Sequence, residues 1–98
     1  MNWTLKSFDE LTVSEFHDII QLRLEIFVVE QDCPYQDLDG KDKVALHLFG
    51  ATTEGKIIAY TRLFGPGDYY KEAAIGRVVV HKDYRKDGIG FELMKRSI

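Results

Sequence analysis

The sequence predicts an α/β fold, more narrowly α+β, in which a mostly antiparallel sheet is flanked by a helix near each end of the chain. Three observations predict it. An apolar helical face begins after a capping sequence, two alternating strands follow around a glycine turn, and a β-branched strand leads through a glycine-bearing loop into a second helix. The 98 residues, of which 45% are hydrophobic, suit one packed domain spanning residues 1–98.

The N-terminal third predicts a strand and then a helix. Apolar and polar side chains alternate over residues 2–8, which is typical of a half-buried strand. Thr12 and Glu15 have the spacing of a capping box, in which each residue bonds the backbone of the other at a helix start. Apolar residues then recur at helical spacing to about Val28, so we expect one helix with a single buried face.

A polar segment and a hairpin follow. Residues 30–42 show no periodicity, contain proline and glycine and are crowded with aspartates, so we expect a solvated loop or a short broken helix. Alternation resumes at residues 44–49 and again at residues 57–64. The turn sequence Thr53-Glu54-Gly55-Lys56 between them predicts an antiparallel hairpin.

The last third predicts a strand, a loop and a helix. The strand runs from about Ala73 to Val80, and Gly76 inside it indicates either a bulge or a close backbone approach. A polar loop covers residues 83–90, and the helix begins at Phe91. No helix-ending residue precedes Ile98, and so short a helix is marginal alone, so we expect the chain to be truncated there.

The segment with the clearest chemical meaning is Arg85-Lys86-Asp87-Gly88-Ile89-Gly90, between the last strand and the last helix. Free N–H groups and the helix dipole make a helix N-terminus a binding site for anions. Glycine permits a close approach and positive φ, and Arg85 and Lys86 add positive charge. We therefore predict that the main chain of residues 85–90 forms a binding site for an anion such as a phosphate group. A P-loop is excluded because Phe91-Glu92 follows Gly90, and a dinucleotide fingerprint because the third glycine is absent.

The same hexapeptide matches the Arg/Gln-x-x-Gly-x-Gly/Ala motif of the GNAT acyltransferase superfamily. The valine-rich strand before it, Leu93-Met94 after it and the order of the predicted elements also resemble that superfamily. Upstream, the chain resembles its ElaA-type subgroup in Phe27-Val28-Val29-Glu30-Gln31, Cys33-Pro34-Tyr35-Gln36-Asp37 and Asp39-Gly40. The sequence is thus similar to the N-terminal two-thirds of such an enzyme.

The resemblance implies an N-acetyltransferase that moves an acetyl group from acetyl coenzyme A (acetyl-CoA) to a primary amine of a small molecule or peptide, without an acyl-enzyme. It implies that the backbone of Val78, Val79 and Val80 pairs with the pantetheine arm. It also implies that the pyrophosphate binds the amides of Arg85, Lys86, Asp87, Gly88, Ile89 and Gly90. In the family, later elements complete the groove and usually supply a tyrosine that protonates the thiolate. This chain stops before them, so we expect only part of the site, in either a truncated or prematurely terminated acyltransferase or one that another chain completes.

The catalytic groups stay open at this point. Glu30 follows the apolar face of the first helix and is a candidate for orienting or deprotonating the amine, against the commoner alternative of a solvated glutamate. Cys33 could in principle be a catalytic nucleophile with His47 as its base, but nothing in the sequence indicates a lowered pKa for its thiol. We therefore do not assign it this role. Arg62 and Arg77 are expected on neighbouring strands and receive no role. The rate would come from alignment of the two substrates and from an oxyanion donor in the fourth strand.

Composition limits the classes of binding partner that we expect for this chain. A net charge of −3 favours neither nucleic acid nor an anionic membrane, and no apolar run is long enough for a signal peptide or a membrane span. One cysteine forms no intrachain disulfide, which fits a cytoplasmic protein. The histidines lack metal-site spacing and the aspartate run lacks a calcium loop's glutamate, so we expect no metal. Two alternatives remain: a non-catalytic CoA-binding fragment, and an interaction module that forms a homodimer through an exposed sheet edge.

Overall fold

The computed structural model describes residues 1–30, 40–65 and 74–97. The described strands and α-helices, in chain order, are β1 (Asn2–Ser7), α1 (Val13–Leu24), β2 (Leu46–Ala51), β3 (Ile57–Phe64), β4 (Ala74–Val80) and α2 (Ile89–Ser97). A π-helix (Glu25–Glu30) continues α1, and 3₁₀ segments occupy Phe8–Glu10, Lys41–Val44 and Lys82–Asp87. The predicted α+β fold is confirmed.

The four strands form one antiparallel sheet in the order β1-β2-β3-β4. The predicted hairpin is β2–β3, whose turn is closed by the Thr52 N–H donating to the Lys56 carbonyl at 2.9 Å. Gly55 adopts φ 89° in this turn, which is a conformation that side chains with a Cβ rarely adopt. Sequence-adjacent strands are thus neighbours in space throughout, and β1 and β4 form the two edges of the described sheet.

Helix α1 begins at the predicted capping box. The Glu15 N–H donates to Thr12 Oγ1 at 3.0 Å, and the Thr12 N–H donates to Glu15 Oε1 at 2.9 Å. Glu15 also accepts from Lys6 Nζ on β1 at 2.9 Å, so the cap ties the helix to the sheet. The predicted helix to Val28 is in fact α-helical only to Leu24, and wider π turns follow it to Glu30.

The two helices pack on opposite faces of the sheet. On one face, α1 and the π-helix bury Ile19, Leu22 and Ile26 against a cluster from the strands that comprises Phe49, Ile57, Tyr60 and Val79. On the other face, Leu93 of α2 is fully buried against Leu48 and Ala59, with Val80 and Ile89 at the margin. Successive residues of a strand point to opposite faces, so Val79 and Val80 contribute to different clusters.

A buried polar cluster interrupts the α1 face. Asp42, predicted in a solvated loop, is 3% exposed, and its carboxylate pairs with Arg23 and Arg62. Beside it, His47 Nε2 donates to the Asp42 carbonyl at 2.9 Å, and Tyr60 Oη lies 2.6 Å from His47 Nδ1. Because a carbonyl only accepts, the His47 proton is on Nε2 and the Tyr60 hydroxyl donates to Nδ1. The sequence prediction for Asp42 is therefore wrong, because two guanidinium groups hold it inside.

Candidate acyl-CoA site

Strand β4 carries a bulge in its middle. Tyr60 faces Val79 and Arg62 faces Gly76, so one residue of β3 lies opposite two residues of β4, Arg77 and Val78. Arg77 has φ 52°, in the left-handed region where L-residues other than glycine are strained by roughly 1–2 kcal/mol. The bulge that Gly76 was expected to mark therefore follows it by one residue. Bulges are frequent beside active sites because they redirect the backbone of a strand.

One edge of β4 has no neighbouring strand within the described sheet, and the direction of each backbone N–H and carbonyl decides which residues can bond there. The His81 N–H donates to the Ile58 carbonyl at 2.7 Å and so points toward β3. Backbone groups alternate between the two edges of a regular strand, so those of Val79 also face β3, whereas those of Val80 face away. Of the three valines predicted to pair with pantetheine, Val80 is thus the one that this alternation places at the open edge, whereas Val78 lies in the bulge, where the alternation is interrupted. Whether a second copy of the chain binds there stays a prediction.

The segment predicted as an open loop is largely helical. Residues Lys82–Asp87 form a 3₁₀ segment, Gly88 turns the chain at φ 73°, and α2 begins at Ile89 instead of Phe91. A 3₁₀ segment bonds N–H groups to carbonyls three residues earlier, as the Tyr84 N–H does with the His81 carbonyl at 2.9 Å. Amides of residues 85–87 therefore serve the 3₁₀ segment, which revises the predicted set.

The amides that remain candidates for binding a diphosphate are those at the N-terminus of α2. Its first intrahelical bond is from the Glu92 N–H to the Gly88 carbonyl at 3.1 Å. The first amides of an α-helix have no intrahelical carbonyl, which applies here to Ile89, Gly90 and Phe91. A Cβ built on Gly88 would meet no atom within 4 Å, and one on Gly90 only Val80 Cγ2 at 3.9 Å. The surface beside these amides is therefore open.

Arg85 connects the 3₁₀ segment to β4. Its Nε donates to the Val80 carbonyl at 2.9 Å, and the residue is exposed. The Val80 carbonyl thus already accepts a hydrogen bond from the segment that follows β4.

The remaining predicted residues are distributed around this site. Glu30 is the last residue of the π-helix, and π turns inside helices are frequent at functional sites. Cys33 lies outside the described residues, and its supposed base His47 is buried and bonded at both ring nitrogens. Burial lowers the pKa of His47 and raises that of Tyr60. His47 is therefore held neutral as part of the buried cluster.

Two further observations concern metal binding and membrane spans among the described residues. No group of three or more His, Cys, Asp or Glu side chains within residues 1–30, 40–65 and 74–97 is arranged to hold a metal ion. None of the helices in these ranges has the length and apolar character needed to cross a bilayer.

Sequence reasoning missed two features, one within the site and one next to it. The first is the left-handed Arg77, for which no residue pattern gave a signal because arginine rarely adopts that conformation. The second is His81, which is 7% exposed and T-stacked on Tyr84 at a centroid distance of 5.6 Å. Its place directly after a strand and before a cluster of charges was the only available signal.

The fold and the site together define a class of protein: an antiparallel sheet with one helix on each face, whose bulged strand leads directly into a helix N-terminus. Comparison with known proteins places the chain within this class. The Acetyltransferase (GNAT) family model matches residues 14–98. The chain is 40% identical to a UPF0039 protein of Synechocystis sp. and 36% identical to the protein ElaA of Escherichia coli, in both cases along its whole length.

Solved structures agree with this comparison. An acyl-CoA N-acyltransferase from Pseudomonas aeruginosa superimposes with a TM-score of 0.91 at 43% identity, over 97% of this chain and 66% of that one. Escherichia coli ElaA superimposes with a TM-score of 0.89 at 37% identity, over 97% of this chain and 65% of that one. The chain belongs to the GNAT family and to its ElaA-type group. It spans 64% and 65% of the lengths of the two curated relatives.

Proposed function

We propose that the chain forms the coenzyme-A-binding part of an N-acetyltransferase that moves the acetyl group of acetyl-CoA to a primary amine. The observation that carries the proposal is the junction of β4 and α2. There, a bulged strand with an open edge ends beside a helix N-terminus whose first amides are available. Membership of the GNAT family supports acyl transfer as the reaction class.

The residues at the α2 N-terminus fit a diphosphate. The amides of Ile89, Gly90 and Phe91 converge at the positive end of the helix dipole, where each favourable charge interaction contributes about 0.3–1 kcal/mol. Three cationic and two acidic side chains lie between His81 and Gly88, which leaves a local excess of positive charge. The absence of a Cβ at Gly88 and Gly90 allows phosphate oxygens to reach the main chain.

Strand β4 would align the pantetheine arm. Val80 directs its backbone groups to the open edge, so an amide-bearing arm can add to the sheet there as a short strand. The Val80 carbonyl can accept from both the arm and Arg85, because a carbonyl oxygen has two lone pairs. Acetyl-CoA supplies the activated thioester, and the edge of β4 holds it in line for the amine.

The bulge and the end of the π-helix would provide the remaining chemistry. The N–H of Val78, which lies in the bulge, would donate to the oxygen of the tetrahedral intermediate. The attacking amine must lose a proton, and Glu30 is our candidate for the carboxylate that orients it or accepts that proton. The thiol product is coenzyme A, which leaves once it is protonated.

Calorimetric titration with acetyl-CoA tests the binding half of this proposal. Arg85→Ala should weaken binding by roughly 1.5–3 kcal/mol, because a hydrogen bond from a charged donor to phosphate is lost. Lys95→Ala is the matched control, since it removes an exposed cation from the other end of α2 and should leave the affinity unchanged. Equal effects of the two variants, or no binding to the parent chain, would contradict the proposal.

Release of free thiol from acetyl-CoA in the presence of a panel of primary amines tests the transfer half. Amine-dependent release that Glu30→Gln reduces would support the proposed role of Glu30. Binding of acetyl-CoA without release over the whole panel would instead identify a binding module and reject transfer by this chain.

A further inference from the structure

A cleft of about 330 Å³ opens on the α1 face of the sheet, where β3 begins and β4 ends. Helix α1 and the first π turn provide one wall with Asp18, Gln21 and Glu25, and the sheet provides the other with Lys56, Ile57 and His81. Helix α2 packs on the opposite face of the sheet, so this cleft is separate from the proposed diphosphate site.

The imidazole of His81 is fixed in one orientation in this cleft. The residue is 7% exposed, and its Nδ1 accepts from the Asp83 N–H at 3.2 Å. A ring nitrogen that accepts from an amide carries no proton, so the proton of the neutral imidazole lies on Nε2. The nearest acidic atom to Nε2 is Glu25 Oε1 at 3.9 Å, which is beyond hydrogen-bonding distance. Among the described residues, no acceptor lies within hydrogen-bonding distance of His81 Nε2, which lines the cleft and can donate to a ligand there.

The charges around the cleft are arranged by sign. The Asp18 and Glu25 side chains, each 45% exposed, place two carboxylates on the helix wall. Asp18 also lies 3.3 Å from His17 Nδ1. On the opposite side, the His81 Nε2–H and the Lys56 ammonium are donors, with Lys56 Nζ 5.9 Å from the centroid of the Tyr84 ring. The cleft thus offers acceptors on one wall and donors on the other.

We propose that this cleft binds a small zwitterion of the α-amino acid class. Its ammonium group pairs with Glu25, on the wall that also carries Asp18, and its carboxylate accepts from His81 Nε2 and approaches Lys56. An apolar side chain of the ligand would contact Ile57 and the neighbouring Leu22. A simple anion would be repelled by the two carboxylates, and a simple cation would make no use of the donors at His81 and Lys56. The proposal is independent of acyl transfer.

Amide chemical shifts of the isotope-labelled full chain, titrated with three matched probes, test this inference. L-valine has both charged groups, isobutylamine lacks the carboxylate, and isovalerate lacks the ammonium group. L-valine should produce saturable shifts at Glu25, Ile57 and His81, with an affinity at least tenfold above that of either analogue. Absence of saturable shifts, or equal affinities for all three probes, would overturn the proposal.

Variants test which groups recognise the ligand. Glu25→Gln should weaken L-valine binding at least tenfold, whereas Glu54→Gln, the same change in the exposed β2–β3 turn, should have no effect. His81→Gln retains a side-chain N–H donor and should keep more affinity than His81→Phe, with both spectra checked for the dispersion of the parent fold. If Glu25→Gln binds as tightly as the parent, the ammonium site is wrong. If His81→Phe binds as tightly as His81→Gln, the role of the Nε2 donor is wrong.

Discussion

The carboxylate of Asp42 accepts a hydrogen bond from Arg23 Nη1 at 2.8 Å, with 4% and 0% of the two side chains exposed. The pair joins the short 3₁₀ segment before β2 to α1, nineteen positions earlier in the chain. Asp42 Oδ1 also accepts from Arg62 on β3 at 3.2 Å. One carboxylate thus fixes three elements to one another on the α1 face of the sheet.

Asp42→Asn should destabilise the chain by about 3 kcal/mol or more, because two buried guanidinium groups lose their shared anion while the shape of the side chain is kept. Urea unfolding followed by circular dichroism measures the change. Asp9→Asn makes the same substitution at an exposed position and should stay within about 0.5 kcal/mol of the parent. A similar loss in both variants would show that the buried pairs contribute little.

The buried His47 should make stability depend on pH. Burial lowers its pKa from the ordinary value of 6.5, so the folded chain binds fewer protons than the unfolded chain as the pH falls below that value. Its contribution is fully present above pH 6.5 and is lost as the pH falls through the lower folded-state pKa. The free energy of unfolding should therefore decrease on acidification from that pH. Partial burial raises the pKa of Glu15, but hydrogen bonds from Thr12 and Lys6 lower it overall. Protonation of Glu15 therefore affects the stability only at lower pH than that of His47.

Urea midpoints measured between about pH 7 and pH 5 test the role of His47. His47→Gln can still donate to the Asp42 carbonyl but does not titrate, so its stability should vary less with pH even if the variant is less stable overall. His17→Gln removes an exposed imidazole and should keep the slope of the parent. If the dependence of stability on pH were reduced in His17→Gln and kept in His47→Gln, the assignment to His47 would be wrong.

Thr12→Ala should cost about 1 kcal/mol of unfolding free energy, because the first turn of α1 loses the side-chain acceptor for the Glu15 amide. Thr53→Ala, in the exposed β2–β3 turn, is the control and should have little effect. Far-UV circular dichroism during urea unfolding gives both values. Equal midpoints for the parent and Thr12→Ala would mean that the contact between Lys6 and Glu15 holds the helix start without the cap.

The elements that local chemistry determines could be predicted from the sequence. The capping box at Thr12 and the hairpin around Gly55 depend on residues a few positions apart, and each was confirmed. The start of α2 was predicted two residues late because polar residues at Lys82–Asp87 looked like a loop, although such residues also suit a 3₁₀ segment.

The features that could not be predicted depend on distant contacts or on strain. Asp42 is buried because Arg23 and Arg62 meet it from two other elements, which no local pattern reveals. Arg77 adopts a left-handed conformation that its residue type disfavours, and only the pairing of β4 with β3 requires it. The cleft around His81 likewise exists only when α1 packs against the ends of two strands.

The two glycines of the predicted motif should behave differently when changed, because they serve different purposes. Gly88 has φ 73°, so Gly88→Val should destabilise the fold by roughly 1–2 kcal/mol, and Gly88→Asn by less. Gly90 lies in the first turn of α2, where an added Cβ meets only Val80 Cγ2 at 3.9 Å. Gly90→Ala should therefore stabilise the chain by about 0.5–1 kcal/mol, since alanine suits a helix better than glycine.

The same Gly90→Ala change should weaken the binding of acetyl-CoA, because the new methyl group would occupy the space where phosphate oxygens approach the main chain. The unfolding temperature of this variant should therefore rise while its affinity for acetyl-CoA falls. A glycine with a purely structural role would not produce this combination. Gly76→Ala is the control, since a Cβ there meets nothing within 4 Å and the residue lies outside the α2 N-terminus. If Gly90→Ala binds acetyl-CoA as tightly as the parent, the amides of α2 do not hold the diphosphate.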